Sequence, residues 1–204
     1  MVERKLSVSS ISLYPRPYIS HILCTRMKKA LDRNKYLQAG PPSSVVLATC
    51  VDKEGKTNII TLGMFMYISQ SPPLVCIGVS DRRYSHGLIM EQGEFAINVP
   101  TTAIIDEMHK CGITSGRDMD KFKEHGLTPI PAQKIKPALI EECYGHLECK
   151  VWNHYECGDH TLIIGEVVAA SANPEILDEK DNQVITNSLP VIQKNWNYHT
   201  VVKP

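Results

Sequence analysis

The longest β pattern in the chain constrains its fold most. Leu147–Cys157 and His160–Ala170 are two extended stretches, and only Gly158–Asp159 separates them. Two such stretches around a short turn of Gly and Asp predict a long β-hairpin that closes the domain. The pattern therefore favours a mainly β fold.

Shorter β patterns precede this hairpin. Val45–Val51 and Thr57–Leu62 flank the polar turn Asp52–Lys56, so they predict a first hairpin. Further strands are predicted at Met64–Ser69, Leu74–Val79 and Phe95–Val99.

The helical signals between these strands are short. The first helix, His86–Gln92, has Ser85 in the N-cap position. The second, Ala103–Lys110, follows two adjacent threonines that can cap it and is expected to end before Gly112. One or two helical turns are expected at Asp120–His125. Many short strands with a few short helices predict a small β-barrel.

Composition excludes several classes of function. The chain has 204 residues, which suits one globular domain, and it carries 22 basic and 22 acidic residues. A net charge of zero indicates neither nucleic acid nor an anionic membrane surface as a partner. No apolar run approaches the roughly 20 residues that cross a bilayer.

The two ends differ from the middle of the chain. Residues 1–26 mix Ser, Arg, Pro and Tyr without a sustained period, so we expect a loosely ordered extension, with a targeting segment as the alternative. Residues 27–172 contain the β patterns. The polar tail, residues 173–204, carries an aromatic cluster at Trp196 and Tyr198, and we expect it to pack on the barrel or on its site.

The seven cysteines are an odd number, and several lie inside apolar runs. This favours buried free thiols and a reducing compartment, and hence a cytoplasmic protein, over a disulfide framework. One group of residues suggests zinc: Cys143, His146, Cys149, Cys157 and His160. It contains no Cys-x-x-Cys pair and lies along one hairpin whose side chains alternate between faces, so we expect no metal site.

Three common catalytic or nucleotide motifs are absent from the sequence. Gly55–Lys56–Thr57 resembles the end of a P-loop, but Cys50 stands where that loop needs glycine, and a strand follows instead of a helix. No Gly-x-Ser-x-Gly and no Gly-x-Gly-x-x-Gly occurs. If a nicotinamide coenzyme is used, a Rossmann unit does not bind it.

Three segments remain as candidate binding sites. Ser80–His86 joins a strand to a helix, and a capped helix start beside Arg83 suits a phosphate, with a solvated turn as the alternative. On the strand after the first hairpin, Gly63 would allow a planar ligand to approach the backbone, with a barrel bulge as the alternative. His160 opens the last strand, where a histidine that only stabilises its own turn is the alternative.

The order and spacing of these segments resemble one known family. The matching motifs are Val46–Cys50, Asn58–Met64, Pro72–Leu74, Arg82–His86, Gly93–Val99, Cys111–Gly112, Ser115–Asp118, Asp120–Phe122 and Gly158–His160. Together they resemble the flavin reductase-like, FMN-binding split-barrel family, in its flavoredoxin-like branch. The resemblance covers about residues 27–172.

The resemblance implies a homodimeric Greek-key split barrel with FMN near the subunit interface. It further implies roles for individual residues: Asn58, Thr61, Gly63 and Met64 flank the isoalloxazine; Ser85, Arg83 and His86 hold the phosphate; Lys121 adds a positive contact; Asn98 contributes from the neighbouring strand; and His160 lies where the nicotinamide docks. Met64 stands where family members often have Trp, and Tyr198 or Trp196 is expected to cover the flavin.

The function implied is oxidoreduction. NAD(P)H would reduce bound FMN, and the electrons would pass to a free flavin, a ferric chelate or a protein acceptor. Two alternatives stay open at this point. One is a flavoredoxin-type electron carrier without useful NAD(P)H turnover, and the other is a barrel that binds no flavin.

Overall fold

The computed structural model describes residues 28–184, 188–195 and 197–200. The chain divides into two compact units between Gly40 and Pro41. The first contains a 3-10 helix at Arg33–Ala39. The predicted extension, residues 1–26, and Trp196 lie outside the described residues.

The second unit is mainly β, as predicted. Its strands are β1 (Ser43–Ser44), β2 (Val46–Val51), β3 (Thr57–Leu62), β4 (Phe65–Gln70), β5 (Pro73–Val79), β6 (Glu94–Val99), β7 (Pro129–Ile130), β8 (Leu139–Ile140), β9 (Gly145–Cys157), β10 (His160–Ala172), β11 (Val191–Lys194) and β12 (Asn197–Thr200). Its helices are α1 (Tyr84–Gln92), α2 (Ile105–Ile113) and α3 (Lys121–His125), with 3-10 turns at Thr102–Ile104 and Pro174–Ile176.

Seven of these strands form one antiparallel sheet in the order β3-β2-β6-β9-β10-β5-β4. The outermost strands, β3 and β4, are nevertheless joined by only Gly63 and Met64. A link of two residues spans at most about 10 Å, so the sheet has to curl until its two edges meet. The result is the predicted split barrel.

The barrel is filled by apolar side chains from most of its strands. Phe95, Ile77 and Ile163 are fully buried inside it. Gly165 makes room for this packing, because an added Cβ would lie 2.5 Å from Cζ of Phe95. A second apolar cluster, which includes Leu47 and Met108, lies between the other face of β2 and α2. Since both faces of β2 are covered, all six of its residues are buried.

Both predicted hairpins are confirmed. In the first, Oδ1 of Asp52 accepts hydrogen bonds from the backbone N–H groups of Glu54 (3.1 Å) and Lys56 (2.7 Å), which fixes the turn. Gly55 adopts φ +85°, a conformation that favours glycine. The second hairpin, β9 and β10, bends at two irregularities of its register.

The helix predictions hold only in part. Ser85 is not the N-cap of α1: Arg83 occupies that position, and Ser85 is buried within the first turn. The helix α2 does not stop before Gly112 but continues to Ile113. An added Cβ at Gly112 would lie 3.2 Å from Cβ of Thr61, so glycine is retained there for close packing and not as a helix end. The cap at Asp120 is present: its carboxylate accepts from the first backbone N–H groups of α3.

The C-terminal segment contains two strands that the sequence did not predict. β11 pairs with β1 and with β12, which makes a three-stranded sheet. The hydroxyl of Tyr198 on β12 lies 2.9 Å from Nδ1 of His109 on α2. Tyr198 is therefore held against α2 in the second apolar cluster.

Candidate functional site

A cavity of about 160 Å³ opens where β3, the start of α1, the end of α2 and α3 converge. β3 contributes Asn58 and Ile60, and α1 contributes its first residues. The loop Thr114–Arg117, which follows α2, completes the lining. Most of the lining residues have polar side chains.

Asn58 is the most informative residue of this cavity. Its side chain is buried, with 6% of its surface exposed, and its Nδ2 donates to Oγ of Ser85 at 2.8 Å. Its Oδ1 is buried and has no hydrogen-bond partner among the described residues. A buried acceptor without a partner costs about 1–3 kcal/mol, so a donor supplied by a ligand would remove that cost.

Gly116 packs directly against this oxygen. A Cβ added to Gly116 would overlap Oδ1 of Asn58. The loop can therefore approach β3 this closely only because position 116 has no side chain.

Lys121 connects two walls of the cavity. Its side chain is 4% exposed, and its Nζ donates to the carbonyl oxygens of Ile59 and Cys111, both at 2.7 Å. These bonds join β3 to the end of α2. Burial lowers the pKa of Lys121, and the nearby thiols of Cys111 and Cys50 act in the opposite direction. An ammonium has three N–H donors, so one is left for a ligand.

The cavity is electropositive. Three arginines line it beside Lys121: Arg82, Arg83 and Arg117. No Asp or Glu is among its lining residues in the described part of the chain. Four cations in a lining without a carboxylate suit an anion, above all a phosphate.

The loop Thr114–Arg117 is anchored at both ends. The hydroxyl of Thr114 donates to the carbonyl of Lys110 at 2.7 Å and lies 3.0 Å from Nε2 of His125. The guanidinium of Arg117 lies 5.2 Å from the ring centroid of Tyr84, within the range of a cation–π contact. Burial raises the pKa of Tyr84, so its phenol stays neutral.

The residues expected to flank a planar ring are divided between two places. Asn58 lies in the cavity, and Thr61 lies beside it, donating to the carbonyl of Met108 at 2.5 Å. Gly63 lies at the corner between β3 and β4, where an added Cβ would be 2.9 Å from Nε2 of Gln193. Met64 is half exposed at the same corner and lies against Gly78.

The residues expected to hold the phosphate are also divided. Ser85 and Arg83 line the cavity with Lys121. His86 is instead directed to β10, where its Nε2 lies 2.9 Å from Oγ1 of Thr161. It ties the start of α1 to the start of β10.

His160 precedes that contact on β10, outside the cavity lining. Its Nδ1 lies 2.8 Å from Oδ1 of Asp159, and about a quarter of its side chain is exposed. The hydrogen bond with His160 lowers the pKa of Asp159, and the charge of Arg82 acts in the same direction. His160 itself contacts none of the residues that line the cavity in the described hydrogen bonds and ion pairs.

Asn98 is not part of the cavity. It is fully buried, and its Nδ2 donates to the carbonyl of Leu47 (3.1 Å) and to Oγ1 of Thr49 (3.3 Å). Its Oδ1 accepts from the backbone N–H of Ile140 and from Nδ1 of His146, both at 2.9 Å. All four hydrogen-bonding positions of this amide are used within the fold, so the structure does not bring Asn98 to the cavity.

Six cysteines of the described chain are free: Cys50, Cys76, Cys111, Cys143, Cys149 and Cys157, of which the last alone is exposed. Burial raises the pKa of Cys50 to about 12 and that of Cys111 to about 11, so both thiols stay protonated beneath the cavity. Within the described ranges, no three His, Cys, Asp or Glu side chains are close enough to hold a metal ion.

Sequence reasoning did not single out nine of the lining residues as site residues, among them Arg82, Tyr84, Gly116 and Arg117. A usable signal was present, because the cations fall in two short polar loops, one before α1 and one after α2. That the two loops meet depends on tertiary contacts. None of the helices that the structure describes is long and apolar enough to cross a membrane.

Fold and cavity together define a small barrel protein with an electropositive cavity. The family model of the flavin reductase like domain matches residues 39–200, most of the chain. The chain belongs to this family, as its motifs predicted.

Individual relatives agree with this assignment. The structure is similar to that of flavoredoxin from Desulfovibrio vulgaris (Miyazaki F), with a TM-score of 0.79 and 27% identity over 87% of this chain and 94% of that one. A flavin reductase (NADH) of Kitasatospora aureofaciens is 28% identical over 135 residues, 66% of this chain and 69% of the relative. An uncharacterized protein of Archaeoglobus fulgidus is 36% identical over 125 residues, 61% of this chain and 71% of the relative.

Membership of the family assigns the chain a flavin-related redox function. It is a protein of the oxidoreductase kind with a flavin as its ligand.

Proposed function

We propose that the protein binds FMN and passes electrons from NAD(P)H through it to a flavin, a ferric chelate or a protein acceptor. The observation that carries the proposal is the cavity at Asn58. It combines four cations, no lining carboxylate among the described residues, and a buried oxygen that lacks a donor.

The chemistry of the cavity fits one end of FMN. A phosphate monoester carries close to two negative charges near neutral pH, which suits Arg83, Lys121 and the hydroxyl of Ser85. A ribityl chain carries hydroxyl groups, and one of them can donate to Oδ1 of Asn58. Phosphate and polyol together satisfy both the cations and the unpaired acceptor.

The cavity is large enough for only one end of the cofactor. About 160 Å³ is below the roughly 300–1,000 Å³ of sites that enclose a whole drug-sized ligand. The phosphate end therefore lies inside, and the isoalloxazine lies outside, towards Thr61 and the corner at Gly63 and Met64.

A ring outside the cavity needs a second wall, and we propose that a second copy of this chain supplies it. The outer face of β4, β5, β10 and β9 carries apolar residues in adjacent rows. Met64, Met66 and Tyr155 are each about half exposed, and Leu162 and Ile164 lie between them in the strand register. An apolar face of this kind on the outside of a barrel is typical of a subunit interface.

The flavin, when bound, supplies the hydride-accepting and electron-transferring chemistry. The protein binds and orients it. His160 would fix the position of the nicotinamide: Asp159 holds its Nδ1, which leaves Nε2 to contact the coenzyme. The buried free thiols support a reducing compartment and a cytoplasmic location.

A second function is favoured by the likeness to flavoredoxin: an electron carrier that holds FMN without turning over NAD(P)H. Steady-state NAD(P)H oxidation by the holoprotein, with free flavin or a ferric chelate as acceptor, separates the two. Sustained turnover supports the reductase, and bound flavin without turnover supports the carrier.

The decisive experiment is anaerobic stopped-flow reduction of the holoprotein by NADH and by NADPH. His160→Ala should keep most of its FMN but reduce it at least about tenfold more slowly, because the hydride donor is no longer positioned. Dithionite should still reduce it fully. His154→Ala, an exposed histidine on the same hairpin, is the matched control. A parent-like rate in His160→Ala removes His160 from the site.

A further inference from the structure

The corner Gly63–Met64, which joins β3 to β4, is contacted by the C-terminal sheet. We propose that Gln193 on β11 is a positioning residue for the isoalloxazine: its carboxamide supports the backbone of Gly63 beside the ring, and it thereby favours binding of the reduced flavin over the oxidised one. The inference rests on the proposed function, which places the ring outside the cavity and towards this corner.

Gln193 lies against the backbone of Gly63. A Cβ added to Gly63 would be 2.9 Å from Nε2 of Gln193 and 3.4 Å from Oγ of Ser43, so a side chain at position 63 would push the amide away from Ser43. The sequence predicts that Gly63 lets a planar ligand approach the backbone. On the side where a Cβ would stand, the structure places a carboxamide instead, so glycine is needed there for Gln193.

The position of this carboxamide is fixed by the strands around it. Nε2 of Gln193 donates to Oγ of Ser43 at 2.9 Å, and the two residues are direct partners in the register of β11 and β1. The backbone N–H of Val45 donates to the carbonyl of Val191 at 3.0 Å. Both valines are buried in the second apolar cluster. The strand that carries Gln193 is therefore anchored in the core.

β3 presents a backbone edge beside the same corner. It is an outermost strand of the seven-stranded sheet and pairs only with β2 there. In an antiparallel pair, residues that bond to the partner alternate with residues whose N–H and C=O point away. The N–H of Asp52 bonds to the carbonyl of Lys56, so the backbone groups of Ile59 and Thr61 belong to the second kind. Lys121 takes the carbonyl of Ile59 on this edge, and the backbone groups of Thr61 come next towards the corner.

This edge suits the pyrimidine half of a flavin, whose rim alternates hydrogen-bond acceptors and donors. Reduction increases the negative charge of that half of the ring. Nε2 of Gln193, the positive end of an amide dipole, is held next to Gly63 before the charge develops, so it stabilises the reduced ring more than the oxidised one. A carboxylate in the same place would have the opposite effect.

The experiment measures the midpoint potential of FMN bound to the full-length chain, which gives the ratio of the dissociation constants for oxidised and reduced flavin. Gln193→Glu puts a carboxylate of the same shape beside Gly63. It should weaken reduced FMN by about tenfold relative to oxidised FMN, which is about 30 mV for a two-electron couple. Gln133→Glu is the matched control. It adds the same charge at an exposed position between β7 and β8, so the ratio should stay that of the parent.

Loss of the amide is tested without a change of charge. Gln193→Met keeps the length of the side chain but neither its donor nor its dipole, and it should weaken reduced FMN by about threefold relative to oxidised FMN. The visible absorption band of the bound oxidised flavin should also shift. Asn197→Ala, exposed on β12, removes an amide of the same sheet whose bonds go to Lys194 and Asn195, and it should change neither readout.

A double substitution tests the contact itself. Gly63→Ala should weaken FMN, because the new methyl group displaces the carboxamide of Gln193. Adding Gln193→Ala removes the group that the methyl would meet, so the double variant should bind FMN about threefold more tightly than Gly63→Ala alone. Equal affinities of the single and the double variant would contradict the contact.

The outcomes are distinct. If the parent binds no flavin, the proposed function fails and this inference fails with it. If the parent binds FMN and Gln193→Glu keeps the parent's potential, the proposed function stands and the inference is wrong. If Gln193→Glu and Gln193→Met weaken both forms of FMN equally, Gln193 only supports the fold and the inference is likewise overturned.

Discussion

Two buried asparagines, Asn58 on β3 and Asn98 on β6, flank the same strand, β2, yet they differ in one respect. Asn98 uses both N–H groups and both lone pairs of its amide within the fold. Asn58 uses its amide group on Ser85, and its Oδ1 has no partner in the parts of the chain described. Both were expected to contact the cofactor. The difference teaches that a buried amide that is fully paired supports the fold, whereas one left unpaired beside a cavity is available to a ligand.

The largest expected effect is the loss of stability when the fully hydrogen-bonded amide of Asn98 is removed. Asn98→Ala leaves several buried partners without a bond, among them the N–H of Ile140 and the carbonyl of Leu47. At about 1–3 kcal/mol for each, the free energy of unfolding should fall by about 3–5 kcal/mol. Urea denaturation, monitored by circular dichroism, measures this free energy of unfolding.

Asn153→Ala, an exposed amide on β9, is the control and should be nearly neutral. The folded fraction of Asn98→Ala should bind FMN as the parent does. A stable variant with weakened FMN binding would reverse the roles of the two asparagines.

Removing the side chain of Asn58 should leave the free energy of unfolding nearly unchanged but weaken FMN binding. Asn58→Ala deletes one hydrogen bond to Ser85 but also one unsatisfied acceptor, so the free energy of unfolding should change by less than about 1 kcal/mol. The dissociation constant for FMN should rise by about tenfold or more, measured by fluorescence quenching.

Lumiflavin, which lacks the ribityl phosphate, sharpens this test. It should bind Asn58→Ala and the parent equally. An equal loss for both ligands would mean that Asn58 contacts the ring, as the family resemblance implied, and not the phosphate end.

The smallest effect concerns the histidine that donates to Asn98. Burial lowers the pKa of His146 in the folded state, and the charge of Glu148 acts in the opposite direction. As pH falls through the unfolded pKa near 6.5, the unfolded chain binds a proton that the folded chain does not, so stability decreases. His146→Asn keeps an N–H donor but cannot titrate.

Urea denaturation between pH 7 and pH 5 should therefore show a shallower loss of stability for His146→Asn than for the parent. His154→Asn, exposed on β9, should follow the parent. Identical slopes for His146→Asn and the parent would show that the network around Asn98 does not couple to pH through His146.

Local patterns predicted the fold well. The β9–β10 hairpin, the turn at Asp52 and the cap at Asp120 each depend on residues close in sequence, and each is present. Ser85 shows the limit. Its hydroxyl group suited a cap, but a partner 27 positions away, Asn58, accounts for its hydrogen bond instead.

The site was predicted in its residue types more than in its geometry. Lys121 was expected to contact the cofactor, but its position is fixed by two carbonyls, one of them 62 residues away. The approach of Gly116 to Asn58 likewise depends on how α2 packs on β3. Sequence spacing does not contain such contacts, because they arise only when the strand order is set.

The link at Gly63 and Met64 also has a consequence for how the chain is made. The hairpins β2–β3 and β4–β5 lie within residues 46–79, so they leave the ribosome early and can pair locally. Their inner strands, β2 and β5, are not neighbours in the sheet, because β6, β9 and β10 lie between them. Since β6 pairs with β2 once residues 94–99 are made, the edges that stay unpaired until residues 145–172 are synthesised are those of β6 and β5, and they are open to strand addition by other chains.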